Sequence, residues 1–396
     1  MIRCMVMISA ASCLLSACNG PTKVGKEMRA QAYSRMDAVN AKLIHEQAMS
    51  AFETGQLEDA RLLLAEAIDR YPGQASWQTL MGRILLEQHR LGSARKFFEQ
   101  ALEDDPESSE SAYYLGVLHE RWSDDVRAAD YFEEAWELDQ ERPQYLLAAA
   151  EAKMASGELE AARQLVHDNL EYFEHHAGLR HLLAQIALLS GDHNEAVMQC
   201  DAARMLAPDD QQMAHDLAMM RFAAGDWGGC LAAIDDVRYR WSEIPPLLQR
   251  CQARALIASG RSVEARVALR DLCAATPNDP SLWREFGLLA WEVGDWSTLA
   301  EAATRLESLD AFQWEQGLFR GLEIRNEGRL DDAESHFQEL ATTFPDHPET
   351  WAILAGVRMK QGDLEGSRKA REMAVKWAMN RSDSSTVSGV YGTHGP

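Results

Sequence analysis

The sequence predicts an all-α solenoid of about ten helix-turn-helix repeats, and three observations predict it. A column of small residues recurs every 34 positions: Ala48, Gly82, Gly116, Ala150, Ala184, Ala218, Ala253, Gly287, Gly321 and Ala355, with one step of 35 between 218 and 253. Seven residues on, a second column reads Gly55, His89, Ser123, Gly157, Gly191, Gly225, Gly260, Gly294, Gly328 and Gly362. Eight of those ten are glycine, in a chain with only 25 glycines among 396 residues, so chance does not explain it. Around the columns, apolar residues recur at three- and four-residue spacing, as in Tyr113, Leu115, Gly116 and His119, then Ala128, Phe132 and Ala135. That is helical spacing.

The chain opens with MIRCMVMISAASCLLSACNG. Arg3 and the α-amine make a short positive start, and Cys4 to Leu15 is an apolar run of 12 residues. A bilayer-spanning helix needs roughly 20 residues, so this run has the form of a signal peptide, residues 1–17. It ends in Leu15-Ser16-Ala17-Cys18, which resembles the lipobox of bacterial lipoproteins. The resemblance implies lipidation of Cys18, with acyl chains including palmitate. Several chains at about 0.8 kcal/mol per buried CH₂ make a stable anchor. Asn19 stands where Asp would resemble an inner-membrane retention signal, which points to the outer membrane, facing the periplasm. Residues 18–40 read as a lipidated tether: Gly20 and Pro21 break structure, and Lys23, Lys26, Arg29 and Arg35 make the stretch basic.

The repeats follow. In each unit a first helix ends at the glycine column, where a left-handed turn is needed, and a second helix follows. A third column, Ala60, Ala94, Ala128, Ala162, Ala196, Cys230, Ala265, Leu299, Ala333 and Ser367, is mostly small, so the two helices can approach closely. Leu299 is the large exception, and its unit is expected to splay. Phe98, Phe132 and Phe337 fill the gap to the next unit, and Pro72, Pro106, Pro208, Pro277 and Pro345 reset the chain between units. One hairpin cannot bury its own apolar face, whereas stacked hairpins bury a continuous core. The extra residue near Arg240 to Pro246 marks the expected bend between a subarray of about six repeats, 41–244, and one of about four, 245–380. Arg368, Lys369, Arg371 and Lys376 give the last unit a polar cap, and the tail, 381–396, is expected to be disordered.

These columns together resemble the tetratricopeptide repeat (TPR) family over about residues 41–380. Trp283 and Trp351 match the family's early aromatic, and Trp77 lies one place early. The resemblance implies a right-handed superhelix whose first helices line a concave groove. On this register the groove positions include Tyr113, His181, His215, Met219, Phe222, Arg250, Arg254, Arg284, Leu288, Trp291 and Arg325. Arg250 and Arg254 share a helical face, and Arg284 stands one repeat beyond Arg250. Arginine binds carboxylates bidentately, so Arg250, Arg254 and Arg284, with Met219, Phe222 and Trp291 beside them, form a candidate peptide-binding site. It is similar to the family's carboxylate clamp, without that clamp's usual Lys and Asn set. The rival reading is that these arginines pair with acidic neighbours on the array.

No catalytic constellation stands out. His45-Glu46-Gln47-Ala48-Met49 is nearest to a zinc-protease HExxH and lacks the second histidine. There is no GxSxG, P-loop, GxGxxG or CxxC motif. His175, His176 and His181 lack partners at ligand spacing, so no metal or other cofactor is expected. Cys200 and Cys230 fall on packing columns and read as core. With Cys251 and Cys273 they allow three disulfide pairings, among which the sequence does not choose. A formal charge of −23, from 62 acidic against 39 basic residues, argues against broad nucleic-acid binding.

The expected function is a non-enzymatic, membrane-anchored scaffold. It would bind envelope proteins or peptides, some with carboxylate-rich segments, and support a cell-envelope assembly. That assembly would be pilus-like (type IV or tight-adherence), or part of export or cell-wall machinery. One alternative is a polysaccharide-export scaffold that contacts glycan. The other is a cytoplasmic TPR regulator.

Overall fold

The computed structural model describes residues 23–384, with side chains to residue 379. The signal peptide, Cys18 and residues 385–396 lie outside the described residues. Among those described are twenty helices and no strand. They divide into two compact units, one up to Leu206 and one from Ala207. Each unit holds five hairpins of an α-solenoid.

In the first unit the hairpins are α1 (Lys23–Glu53) with α2 (Leu57–Arg70), α3 (Ala75–Glu87) with α4 (Leu91–Asp104), α5 (Ser109–Arg121) with α6 (Asp125–Leu138), α7 (Pro143–Ala155) with α8 (Leu159–Asn169), and α9 (Ala177–Leu189) with α10 (His193–Leu206). In the second they are α11 (Gln211–Ala223) with α12 (Trp227–Trp241), α13 (Pro246–Ala258) with α14 (Ser262–Ala275), α15 (Pro280–Val293) with α16 (Trp296–Ser308), α17 (Gln313–Asn326) with α18 (Leu330–Thr343), and α19 (Pro348–Gln361) with α20 (Leu364–Ser384).

Each repeat column has a physical role. All ten positions of the glycine column have positive φ, from 57° at Ser123 to 89° at Gly157. They join first helix to second through a left-handed residue. The small columns are buried where the two helices cross: Ala48, Ala150, Ala184, Ala218 and Ala253 have no exposure, nor do Ala60, Ala94, Ala162 and Ala265. In the last hairpin the columns touch directly, the Ser367 hydroxyl donating to the Ala355 carbonyl at 2.8 Å. Leu299, the large exception, is fully buried.

Proline and tryptophan act as a pair. The Trp283 indole donates to the Pro277 carbonyl at 2.8 Å, and Trp351 repeats the bond to Pro345 at 3.0 Å. The aromatic thus fastens the loop that the proline opens. Aspartates start many helices: the carboxylates of Asp124, Asp210, Asp226, Asp279 and Asp295 accept backbone N–H bonds at helix N-termini.

The 35-residue step is absorbed between α12 and α13. Helix α12 runs to Trp241, Ser242 turns left-handed at φ 62°, and Pro245 and Pro246 start α13. At the other end of the array, the segment read as a tether is helical from Lys23 onward, as the first half of α1.

Candidate protein-interaction face

The second unit carries all six proposed groove residues on its first helices: Met219 and Phe222 on α11, Arg250 and Arg254 on α13, Arg284 and Trp291 on α15. Met219 and Leu288 share one repeat position, with Arg254 between them, and Phe222, Ile257 and Trp291 share the next, so by register the five make an apolar seam on α11, α13 and α15. Each is half-buried and packs on the unit's core from the side of the first helices. The Met219 sulfur lies 3.4 Å from the Cys251 thiol, and the Phe222 ring meets Trp227 edge-on at 5.3 Å.

The arginines do not converge on open space. Arg250 donates to Glu285 at 2.9 Å and lies 3.5 Å from Asp279. Arg254 donates to both oxygens of the same Glu285 carboxylate. Arg284 pairs with Glu315, and its guanidinium sits 5.4 Å from the Phe312 ring centre. Each ion pair therefore ties a first helix to the first helix of the next repeat. Burial pushes the Glu285 carboxyl up, but the hydrogen bonds and charges of Arg254 and Arg250 outweigh it, so the group stays below its ordinary value. Arg325 on α17 differs. It is half-buried, and burial lowers its guanidinium with no carboxylate opposing the effect.

Sequence reasoning missed Glu285 and Glu315. The signal was present: the ion pairs span 31 and 35 residues, one repeat length less three or plus one. Those offsets place a side chain against the neighbouring first helix.

The first unit's corresponding helices carry a different lining. Arg83 lies between the rings of Phe52 and Tyr114, at 5.2 and 5.1 Å, and donates to Glu110 at 3.1 Å. Tyr113 packs against Tyr145 at 5.0 Å and Phe132 at 5.3 Å. Glu151 on α7 is raised by desolvation and by Glu120, with His181 opposing. This face is aromatic and acidic, whereas that of the second unit is apolar with paired arginines.

The remaining candidates have plain structural roles. His176 caps α9, its ring nitrogen accepting from the Leu179 N–H at 3.2 Å. No group of three or more His, Cys, Asp or Glu among the described residues is arranged to hold a metal ion. Cys200, Cys230, Cys251 and Cys273 are buried and are not joined in disulfides among the described residues. Burial pushes Cys230 and Cys273 up to about 12. Trp77, Trp136 and Trp283 are buried in packing, so they offer no ring face to a glycan.

The tetratricopeptide repeat family model matches residues 45–99, 79–143 and 320–379. Among solved structures, the chain is similar to a tetratricopeptide repeat protein from Parabacteroides merdae, at 17% identity over 63% of this chain and 98% of that one, with a TM-score of 0.46. It is similar to PilW, a type IV pilus biogenesis factor, at 15% identity over 52% of this chain and 95% of that one, TM-score 0.45. It is also similar to YrrB, a TPR protein with an unusual peptide-binding site, at 18% identity over 50% and 97%, TM-score 0.41. No curated protein matches the chain at a significant level. Across residues 45–143 and 320–379 the chain is built of tetratricopeptide repeats, within an all-α solenoid suited to binding other proteins or peptides.

Proposed function

We propose that this chain is a lipid-anchored scaffold of the bacterial outer membrane that faces the periplasm. It holds envelope proteins together during assembly of a pilus-like, export or cell-wall complex. The address rests on Leu15-Ser16-Ala17-Cys18, and the role of scaffold rests on the repeat architecture. One observation carries the binding mode: the seam of Met219, Phe222, Ile257, Leu288 and Trp291, half-buried and bordered by the Arg250–Glu285 and Arg284–Glu315 pairs. A partner helix or extended segment with an apolar stripe would cover this seam. Arg325, half-buried without a carboxylate against it, adds a place for an acidic side chain.

The test is photo-crosslinking in intact cells from Phe222 and Trp291. Tyr239, 89% exposed on α12, serves as the control position. A recurring set of envelope proteins captured from the seam and not from Tyr239 supports the reading. Equal capture from Tyr239 overturns the binding face. Partners unchanged by Cys18→Ser, with no palmitate incorporated by the wild type, overturn the address.

A further inference from the structure

We infer that the first half of α1 is a membrane-surface helix, which binds the headgroup region of an anionic phospholipid bilayer through one apolar stripe and its basic borders. The first observation is exposure. Val24, Met28, Met36, Val39 and Leu43 are 66, 62, 51, 67 and 56% exposed. At about 100° per residue these five, with exposed Ala32, fall within an arc of about 120° along one face of the helix.

The second observation is direction. Ala41 and Ala48, through which the later part of α1 joins the core, are fully buried. On the same wheel they lie about 180° from the middle of the stripe. From Asp37 onward the array therefore packs on the far side of α1 and leaves the stripe uncovered, while residues 26–36, Tyr33 at 58% included, are exposed all round the helix.

Charge selects the occupant. Residues 23–43 hold Lys23, Lys26, Arg29, Arg35 and Lys42 against Glu27 and Asp37, in a chain with 62 acidic and 39 basic residues overall. Lys42 and Arg29 lie at the two edges of the stripe and Arg35 lies within it, about 40° from its middle, while Lys23, Lys26, Glu27 and Asp37 turn away from its centre, each by about 120° or more. Long basic side chains at such borders reach headgroup phosphates while their stems lie on the apolar surface. A second copy of α1 would bring like charge to like charge. No described helix is long and apolar enough to cross a membrane. The inference does not depend on acylation: it concerns α1 alone and stands apart from the scaffold reading.

The test uses the full chain carrying Cys18→Ser. Hydrogen exchange of residues 24–43 is read with vesicles of 70% phosphatidylcholine and 30% phosphatidylglycerol, and with pure phosphatidylcholine. The expected result is exchange slowed about tenfold or more over 24–39 on the anionic vesicles only, with residues 171–180 unchanged. Arg29→Gln with Arg35→Gln, and separately Met28→Gln with Met36→Gln and Val39→Gln, should each remove that protection without altering melting of the array. Glutamine keeps helix propensity close to that of the residues replaced, so helix loss does not confound the result. Three results overturn the inference: no protection on anionic vesicles, protection that survives both sets of substitutions, or protection that rises with protein concentration without lipid. The last would instead mean that a second copy covers the stripe. Failure here would leave capture of partners by the seam untouched, so the two readings fail separately.

Discussion

Phe132 fills the space that any side chain at Gly116 would need. A Cβ on Gly116 would lie 2.6 Å from two carbons of that ring, closer than real contacts allow. Phe132 is itself 3% exposed, held between the two helices of its hairpin. The same sixteen-residue relation joins Gly82 to Phe98 and Gly321 to Phe337. Gly116→Ala should therefore destabilise α5 and α6 by about 1–3 kcal/mol, as overpacking does in other cores. Adding Phe132→Leu should recover part of the loss. Repeat arrays open locally, so hydrogen exchange of residues 109–138 is the measurement. An Ala variant with unchanged exchange there would mean that the ring moves aside freely.

His89 and Ser123 hold the glycine column's conformation without being glycine, at φ 58° and 57°. Both are exposed, and neither is held there by core packing. The left-handed region costs a residue with a Cβ about 1–2 kcal/mol, and glycine gives back part of that through its freedom in the unfolded chain. His89→Gly and Ser123→Gly should each stabilise the first unit by about 0.5–1 kcal/mol. Gly225→Ala, at φ 73°, should do the reverse in the second unit. Urea unfolding followed by circular dichroism checks all three signs.

These two relations also show how far the sequence could be read. The small and glycine columns are backbone requirements imposed at every repeat, so ten copies make them plain. The arginines of the candidate face were equally visible, because cations stand out in an acidic chain. Their counterions were not. Glu285 and Glu315 are two carboxylates among 62 acidic residues, and only the packing of neighbouring first helices selects them. The helicity of residues 23–40 was obscured for another reason. Gly20, Pro21 and a basic run suggest a tether, yet from Lys26 to Ser50 no glycine or proline interrupts a run rich in Ala, Met, Arg and Glu.

The buried thiols give a chemical prediction. Burial raises Cys230, Cys251 and Cys273, two of them to about 12, and all four described cysteines are at most 6% exposed. The reactive species is the thiolate. At pH 8 the folded protein should leave Cys200, Cys230, Cys251 and Cys273 unmodified by iodoacetamide over minutes, and all four should react in urea. Peptide mass mapping reads each site separately. Rapid labelling of Cys251 in the folded chain would show that the contact with Met219 opens readily.

Glu285 is the carboxylate that Arg250 and Arg254 share, since both donate to it. Its side chain is 13% exposed, and removing its charge leaves Arg250, 26% exposed, with only Asp279 at 3.5 Å. Glu285→Gln should cost about 2 kcal/mol near neutral pH, the scale of a charged hydrogen bond lost from a partly buried site. The sign with pH follows from the depressed carboxyl. A group held lower in the folded chain contributes its full stabilisation above its unfolded value, near 4.5 for glutamate, and loses it as pH falls through the folded value. The gap between wild type and Glu285→Gln should thus be constant from pH 8 to about pH 6 and narrow below about pH 4.5. Charge reversal at Arg250 and Arg284 should likewise lower stability, because each would set a carboxylate against Glu285 or Glu315. Denaturant titration across that pH range decides the matter. A gap that stays flat down to pH 3 would mean that Glu285 contributes by packing and not by charge.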